Sequence, residues 1–132
     1  MILGFKKQFV PKIEAGSKIH TLRDDPADRW KQGNKIHMVT GMRTPNQHTF
    51  NDKHNCKSTQ RVVMKTDTTT SNIDYLVLYV DGNRLWDIAG MAFAKNDGFD
   101  EWSDFEEWFL PLVKVAGGEK EFKLIHWTDF KY

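Results

Sequence analysis

Apolar and polar residues alternate at strand-like spacing through much of residues 17–86, change to helical spacing near Asp87, and return to strand spacing in the last segment. PKIEAG (11–16) reads as a short helix closed by Gly16, because glycine tolerates the left-handed conformation past a helix end. SKIHTLR (17–23) carries β-branched residues in rough alternation and predicts a strand. DDPADRWKQGN (24–34) is a loop, with turn chemistry at Asp24–Asp25–Pro26 and at Gly33–Asn34. KIHMVTGMR (35–43) predicts a second strand with Ile36, Met38 and Thr40 on one face. TPNQHTFNDKHN (44–55) is polar, shows no period and predicts a long loop.

CKSTQRVVMKTD (56–67) and IDYLVLYVDGNRLW (73–86) predict further strands, the second folded back on itself at Asp81–Gly82, a tight-turn pair. In DIAGMAFAKNDG (87–98) the positions Ile88, Met91, Ala92 and Lys95 fall in helical register, and Gly98 ends the run. FDEWSDFEEWFLPLV (99–113) predicts the longest helix, with Phe99, Trp102, Phe105, Trp108, Phe109 and Leu112 on one stripe. Asp100 and Glu101 in its first turn suit the positive end of the helix dipole. KEFKLIHWTDF (120–130) predicts a closing strand. Five to six strands with about three short helices, strands coming before, between and after helices, give an α+β class. They predict a small mixed β-barrel, closed or nearly so, rather than repeating βαβ units. The length fits one domain over 1–132.

Composition narrows the possibilities only a little. Apolar residues make up 39% and charged residues 28%, ordinary values for a globular chain. One cysteine, Cys56, excludes an internal disulfide framework and fits a reducing compartment. No long apolar run suggests a leader or a membrane span, so a cytoplasmic protein without membrane contact is expected. Charge is distributed unevenly. Residues 1–66 hold 13 Lys and Arg against 5 Asp and Glu, a net +8, and residues 67–132 hold 6 against 13, a net −7. Such polarity marks either a polyanion-facing side or two halves that pair with each other across one fold.

The candidate chemistry is concentrated at the start of the chain. His48, His54 and Cys56 lie close together, with His37 upstream, but without the paired spacing of a zinc site, so no metal and no cofactor are expected. No glycine-rich phosphate loop and no Gly-x-Ser-x-Gly elbow occur. GSKIHTLR (16–23), by contrast, gathers Lys18, Thr21 and Arg23 with few apolar neighbours. These side chains read equally as a solvated strand edge or as the wall of a site.

GSKIHTLR resembles the Gly-x-Lys-x-x-Thr-x-Arg pattern of the ASCH domain, a member of the PUA-like β-barrel superfamily. RWKQGNKIHMVTG (29–41) is similar to that family's following turn and barrel strand, NDGFDEWSDFEEWF (96–109) to its acid-Gly-Phe-helix segment, and LIHWT (124–128) to its closing strand. The resemblance covers most of the chain, with nothing matched over Thr44–Asn55. It implies a PUA-like barrel that binds RNA or a modified nucleoside in a cleft lined by Gly16, Lys18, Thr21 and Arg23. Trp30 and Arg43 are expected to add stacking or phosphate contacts. One branch of the family, small bacterial amidohydrolases acting on N4-acetylcytidine, implies Thr21 as nucleophile, Lys18 as base and a carboxylate as proton donor. That carboxylate falls at Asp97, one methylene shorter than the family's Glu. In a regular strand Lys18 and Thr21 would point to opposite faces, so their convergence requires Lys18 to precede the regular strand or the chain to bend near Gly16–Ser17. A third reading is a protein-interaction module using the aromatic stripe of residues 99–112.

Overall fold

A computed structural model describes residues 1–132. In chain order its elements are β1 (Ile2–Gly4), a 3-10 turn (Lys7–Phe9), α1 (Val10–Glu14), β2 (His20–Arg23), β3 (Lys35–Thr40) and β4 (His48–Asn55). There follow β5 (Ser58–Thr68), β6 (Asp74–Val80), β7 (Asn83–Arg84), α2 (Asp87–Asn96), α3 (Trp102–Val115) and β8 (Glu119–His126). The class is α+β. The strands form two separate sheets, ordered β1-β3-β4 and β2-β8-β5-β6-β7, rather than one hydrogen-bonded cylinder. Strand pairing therefore leaves both sheets open and does not itself complete the barrel expected above, closed or nearly so. Eight strands replace five or six because two were hidden in the sequence.

The first hidden strand is β1, three residues that pair in parallel with β3 from Ile2↔His37 to Gly4↔Val39. The second is β4, read above as a loop. It pairs antiparallel with β3, with register shifts between Ile36 and Val39. β4 is a sheet edge whose side chains are nearly all exposed or half-buried, so no buried face imposes an apolar period.

The five-stranded sheet is antiparallel throughout, with β8 between β2 and β5. Val62 and Met64 of β5, Leu76 and Leu78 of β6 and Phe122 and Leu124 of β8 are buried in one core cluster. The two longer helices cover this core. In α3 the buried positions are Phe105, Phe109 and Val113, spaced i, i+4, i+8. Trp108 and Leu112 flank that stripe and stay partly exposed. Asp100 and Glu101 precede the helix, and Asp104 is the acid of its first turn.

The register expected for α2 is also corrected. Its buried face is Gly90, Phe93 and Ala94, whereas Ile88 and Met91 are 80% and 51% exposed. Both stripes satisfy helical spacing. The fully buried Phe93 ring, packed 5.7 Å from Phe105, offers more area to the core than Ile88 could at the helix start. No helix is long and apolar enough to cross a membrane.

Candidate functional site

The segment between α1 and β2 aims the first candidate side chain, Lys18. Gly16 adopts φ +79°, which reverses the chain past the helix. The Ser17 and Lys18 amides donate to Lys12 O at 2.9 and 3.0 Å, and the Ile19 amide donates to Asn96 O at 2.9 Å. Regular strand geometry begins only at His20. Lys18 therefore precedes the alternation, one of the two conditions for its convergence with Thr21. Gly16 itself is exposed, with open space around it; it turns the chain and does not wall the site.

Lys18 is 3% exposed and Asp97 2%. Lys18 Nζ donates to His20 O at 2.8 Å, to Asp97 O at 2.5 Å and to Asp97 Oδ1 at 3.2 Å. Three acceptors match the three protons of an ammonium. Burial pushes the Lys18 amine down from the ordinary lysine range, while Asp97 pulls it back up. The side chain reaches this position only because residue 98 is glycine. A Cβ there would lie 2.8 Å from Lys18 Cδ and 2.9 Å from Phe9 Cδ1, and Gly98 has φ +94°.

Asp97 closes α2, its amide donating to Phe93 O at 3.0 Å. Its Oδ1 also meets His20 Nδ1 at 3.2 Å. The His20 ring is fully buried, which pushes its pKa down against the pull of Asp97. Arg23 donates from Nη2 to Gly4 O at 2.7 Å and lies with Cζ 4.9 Å from the Phe5 centroid, a cation–π distance. Its Nε is enclosed without a partner.

Lys18, Thr21, Arg23 and Asp97 line one hollow of about 360 Å³, shared with Phe9 and Trp108. Phe9 and Trp108 meet edge to face at 5.7 Å, and Lys18 Nζ is 5.0 Å from the Phe9 centroid. Lys6 Nζ stands 5.2 Å over the Trp108 ring at the same hollow. The pocket thus pairs aromatic side chains with three cations, two carboxylates and a hydroxyl, the pattern of a site for a flat polar molecule.

Trp30 and Arg43 do not join it. Trp30 is buried, and together with the exposed Arg43 it borders a different hollow beside Met42. His37, His48, His54 and Cys56 form no ligand set, since no three His, Cys, Asp or Glu side chains gather where they could hold a metal. Residues that sequence reasoning missed are Phe9, Gly98, His20 and Tyr132. Gly98 was visible only as a helix stop. Nothing in the sequence connected Tyr132, whose hydroxyl lies 2.8 Å from His20 Nε2, to the motif.

Ion pairs join the two halves across the fold, three with the cation from residues 1–66 and two with the cation from residues 67–132. Lys12 meets Asp100, Arg61 meets Glu121, Lys65 meets Glu119, Lys120 meets Asp24 and Lys123 meets Asp25. Comparison of the chain with protein families, curated proteins and solved structures found no match.

Proposed function

We propose that the chain is an ASCH-like, PUA-like domain and that its hollow takes a free or modified nucleoside rather than a run of RNA. The convergence of Lys18, Thr21, Arg23 and Asp97 in one aromatic-walled cavity carries this reading. About 360 Å³ falls in the small-molecule range of roughly 300–1,000 Å³. A base could stack against Phe9 or Trp108, present carbonyl oxygens to Arg23 or Lys6 and present amino or imino N–H groups to Asp97. The preference for a nucleoside over a polynucleotide rests on the ion pairs. Three cations of the N-terminal half, Lys12, Arg61 and Lys65, already pair with acids of the other half, leaving less to release counterions from a phosphate chain. The outer aromatic stripe of α3 supports a binding pocket better than a protein-docking face, because Trp108 and Leu112 line the hollow.

Calorimetric titration with cytidine, N4-acetylcytidine, uridine and adenosine tests this. One saturable site is expected, little affected by salt and weakened about tenfold or more by Arg23→Gln, which removes a charged hydrogen-bonding group. Short RNA binding with a steep salt slope, while every nucleoside fails, would replace this reading with the polynucleotide one.

Thr21 lines the same hollow as Lys18 and Asp97, which favours a second reading, hydrolysis of the acyl group of N4-acetylcytidine. The Thr21 hydroxyl would attack the acyl carbon and lose its proton to a base, cytidine would leave with a proton on N4, and water would then release acetate. Cytidine release by the wild-type protein but not by Thr21→Val supports it. Binding without release leaves the nucleoside reading alone.

A further inference from the structure

Beyond the motif residues, the fold builds a directional hydrogen-bond chain that ends on Asp97. Asn96 Nδ2 lies 3.0 Å from Tyr132 Oη, Tyr132 Oη lies 2.8 Å from His20 Nε2, and His20 Nδ1 lies 3.2 Å from Asp97 Oδ1. The polarity of each link follows from its neighbours. Asp97 Oδ1 already accepts a proton from the Lys18 amine, which suits a carboxylate, so His20 Nδ1 is the donor toward it. His20 is fully buried, and burial disfavours an imidazolium. Its Nε2 is then an unprotonated acceptor, and the Tyr132 hydroxyl must donate to it. That hydroxyl can still accept from Asn96, whose amide nitrogen is a donor only.

Tyr132 is itself fixed from a second direction. Its backbone N–H donates to Gln60 Oε1 at 2.9 Å, and its carbonyl accepts from Gln60 Nε2 at 2.8 Å. The ring contacts Phe93 at 5.0 Å and His20 at 5.6 Å between centroids. The hydroxyl therefore has little freedom to leave His20.

We infer that His20 and Tyr132 are positioning residues that hold Asp97 as an acceptor-only carboxylate in the hollow. Both side-chain hydrogen bonds accepted by Asp97 fall on Oδ1, which leaves Oδ2 for an occupant. An occupant must then offer Asp97 an N–H or O–H. In the hydrolytic reading Asp97, and not Lys18, is the group with a lone pair to take a proton, because the three Lys18 protons are spent on His20 O, Asp97 O and Asp97 Oδ1. The ligand half of this inference rests on the nucleoside reading; the geometric half does not.

The geometric half is tested on the free protein by nitrogen-15 NMR of the His20 ring and carbon-13 NMR of the Asp97 carboxyl group. The expected result near neutral pH is a neutral ring protonated on Nδ1, with Nε2 accepting, and an ionised Asp97. Tyr132→Phe, which removes the donor to Nε2 at nearly the same shape, should move both the His20 nitrogen signals and the Asp97 carboxyl signal. A ring protonated on Nε2, or an Asp97 signal unmoved by Tyr132→Phe, overturns the inference.

The ligand half uses His20→Asn and His20→Leu with cytidine as the probe. An asparagine amide can replace Nδ1 as donor to Asp97, and leucine cannot. His20→Asn should bind within a few-fold of wild type, and His20→Leu about tenfold or more weaker, the scale of a buried acceptor left short of its donor. Equal losses in both variants, each folded by its amide spectrum, would make His20 structural only and overturn positioning. Should His20→Leu fail to fold, Tyr132→Phe with about tenfold weaker binding serves the same comparison, and unchanged binding by it overturns the inference. A wild type that binds no nucleoside removes the proposed function, and the NMR comparison then decides the positioning by itself.

Discussion

Replacing Lys18 with methionine keeps the length and most of the volume of the side chain but removes the ammonium. Three acceptors lose their donor at once: His20 O, Asp97 O and Asp97 Oδ1. With Lys18 and Asp97 3% and 2% exposed, water cannot replace the missing protons. Breaking a buried pair from one side costs about 3–5 kcal/mol, because the partner charge is left uncompensated. For a chain of 132 residues, that corresponds to a fall of roughly 10–20 °C in Tm. The loss should be partly reversed in Lys18→Met/Asp97→Asn, which removes the stranded charge as well and should recover about 1–3 kcal/mol relative to the single variant. Urea unfolding followed by tryptophan fluorescence measures both. A loss under about 1 kcal/mol in Lys18→Met would mean that the amine is not held as a charged three-way donor, and the reasoning from its geometry would fail.

Other expectations follow from the same geometry. Gly98→Ala should cost about 2–4 kcal/mol by urea unfolding and abolish the nucleoside binding proposed above, since the new methyl meets Lys18 and Phe9 under 3.0 Å at φ +94°; a near-neutral effect would contradict the close approach. Burial, helped by His20 and Lys131, holds the His126 imidazole down to about 4. A depressed histidine supports the fold fully above its unfolded pKa of about 6.5 and loses that support as pH falls toward about 4. Unfolding free energy should thus drop by up to roughly 3 kcal/mol across that window. His126→Gln, which can still offer Gln60 an amide N–H, should flatten the drop. Desolvation opposes ionisation of Asp25, but Lys123 and the backbone N–H groups of Trp30 and Arg29 outweigh it and hold the carboxyl at about 2. Its support is complete above about 3.8 and is lost as pH falls toward 2. Asp25→Asn should therefore cost about 1–2 kcal/mol at pH 7 after allowance for screening, and little at pH 2.

The parts of the site that lay close together in sequence could be read from it, and the parts joined by the fold could not. Lys18, Thr21 and Arg23 occupy a short segment whose composition alone singled it out. Asp97 was reachable only through resemblance, and its pairing with Lys18 depends on α2 ending where the chain before β2 passes. Trp30 was misplaced because an aromatic near a basic motif looks like a stacking platform, whereas its ring is buried away from the hollow. The two stripes of α2 were equally periodic, and only tertiary packing of Phe93 and Ala94 separated them. β4 had no alternation to find, since neither of its faces is buried.

The place of β8 in the larger sheet has a consequence for how the protein comes into being. β2 pairs only with β8, from His20↔His126 to Arg23↔Lys123, and β8 also carries β5. On the ribosome β2 is complete about 100 residues before its neighbour exists, a wait of roughly 5–20 s at 5–20 residues per second. Lys18 lacks Asp97 until the 79 residues beyond it are made, and throughout the wait β2 lacks β8, so the Lys18 charge keeps the segment in water. β5 and β6 form a local hairpin meanwhile, register Val62↔Val80 to Thr68↔Asp74, so the waiting chain offers β8 a ready edge. Pairings so distant in sequence slow folding. The hollow lined by Lys18, Thr21 and Arg23 is therefore among the last parts of the molecule to assemble, and a ribosome-stalled chain lacking residues 119–126 should hold the hairpin without it.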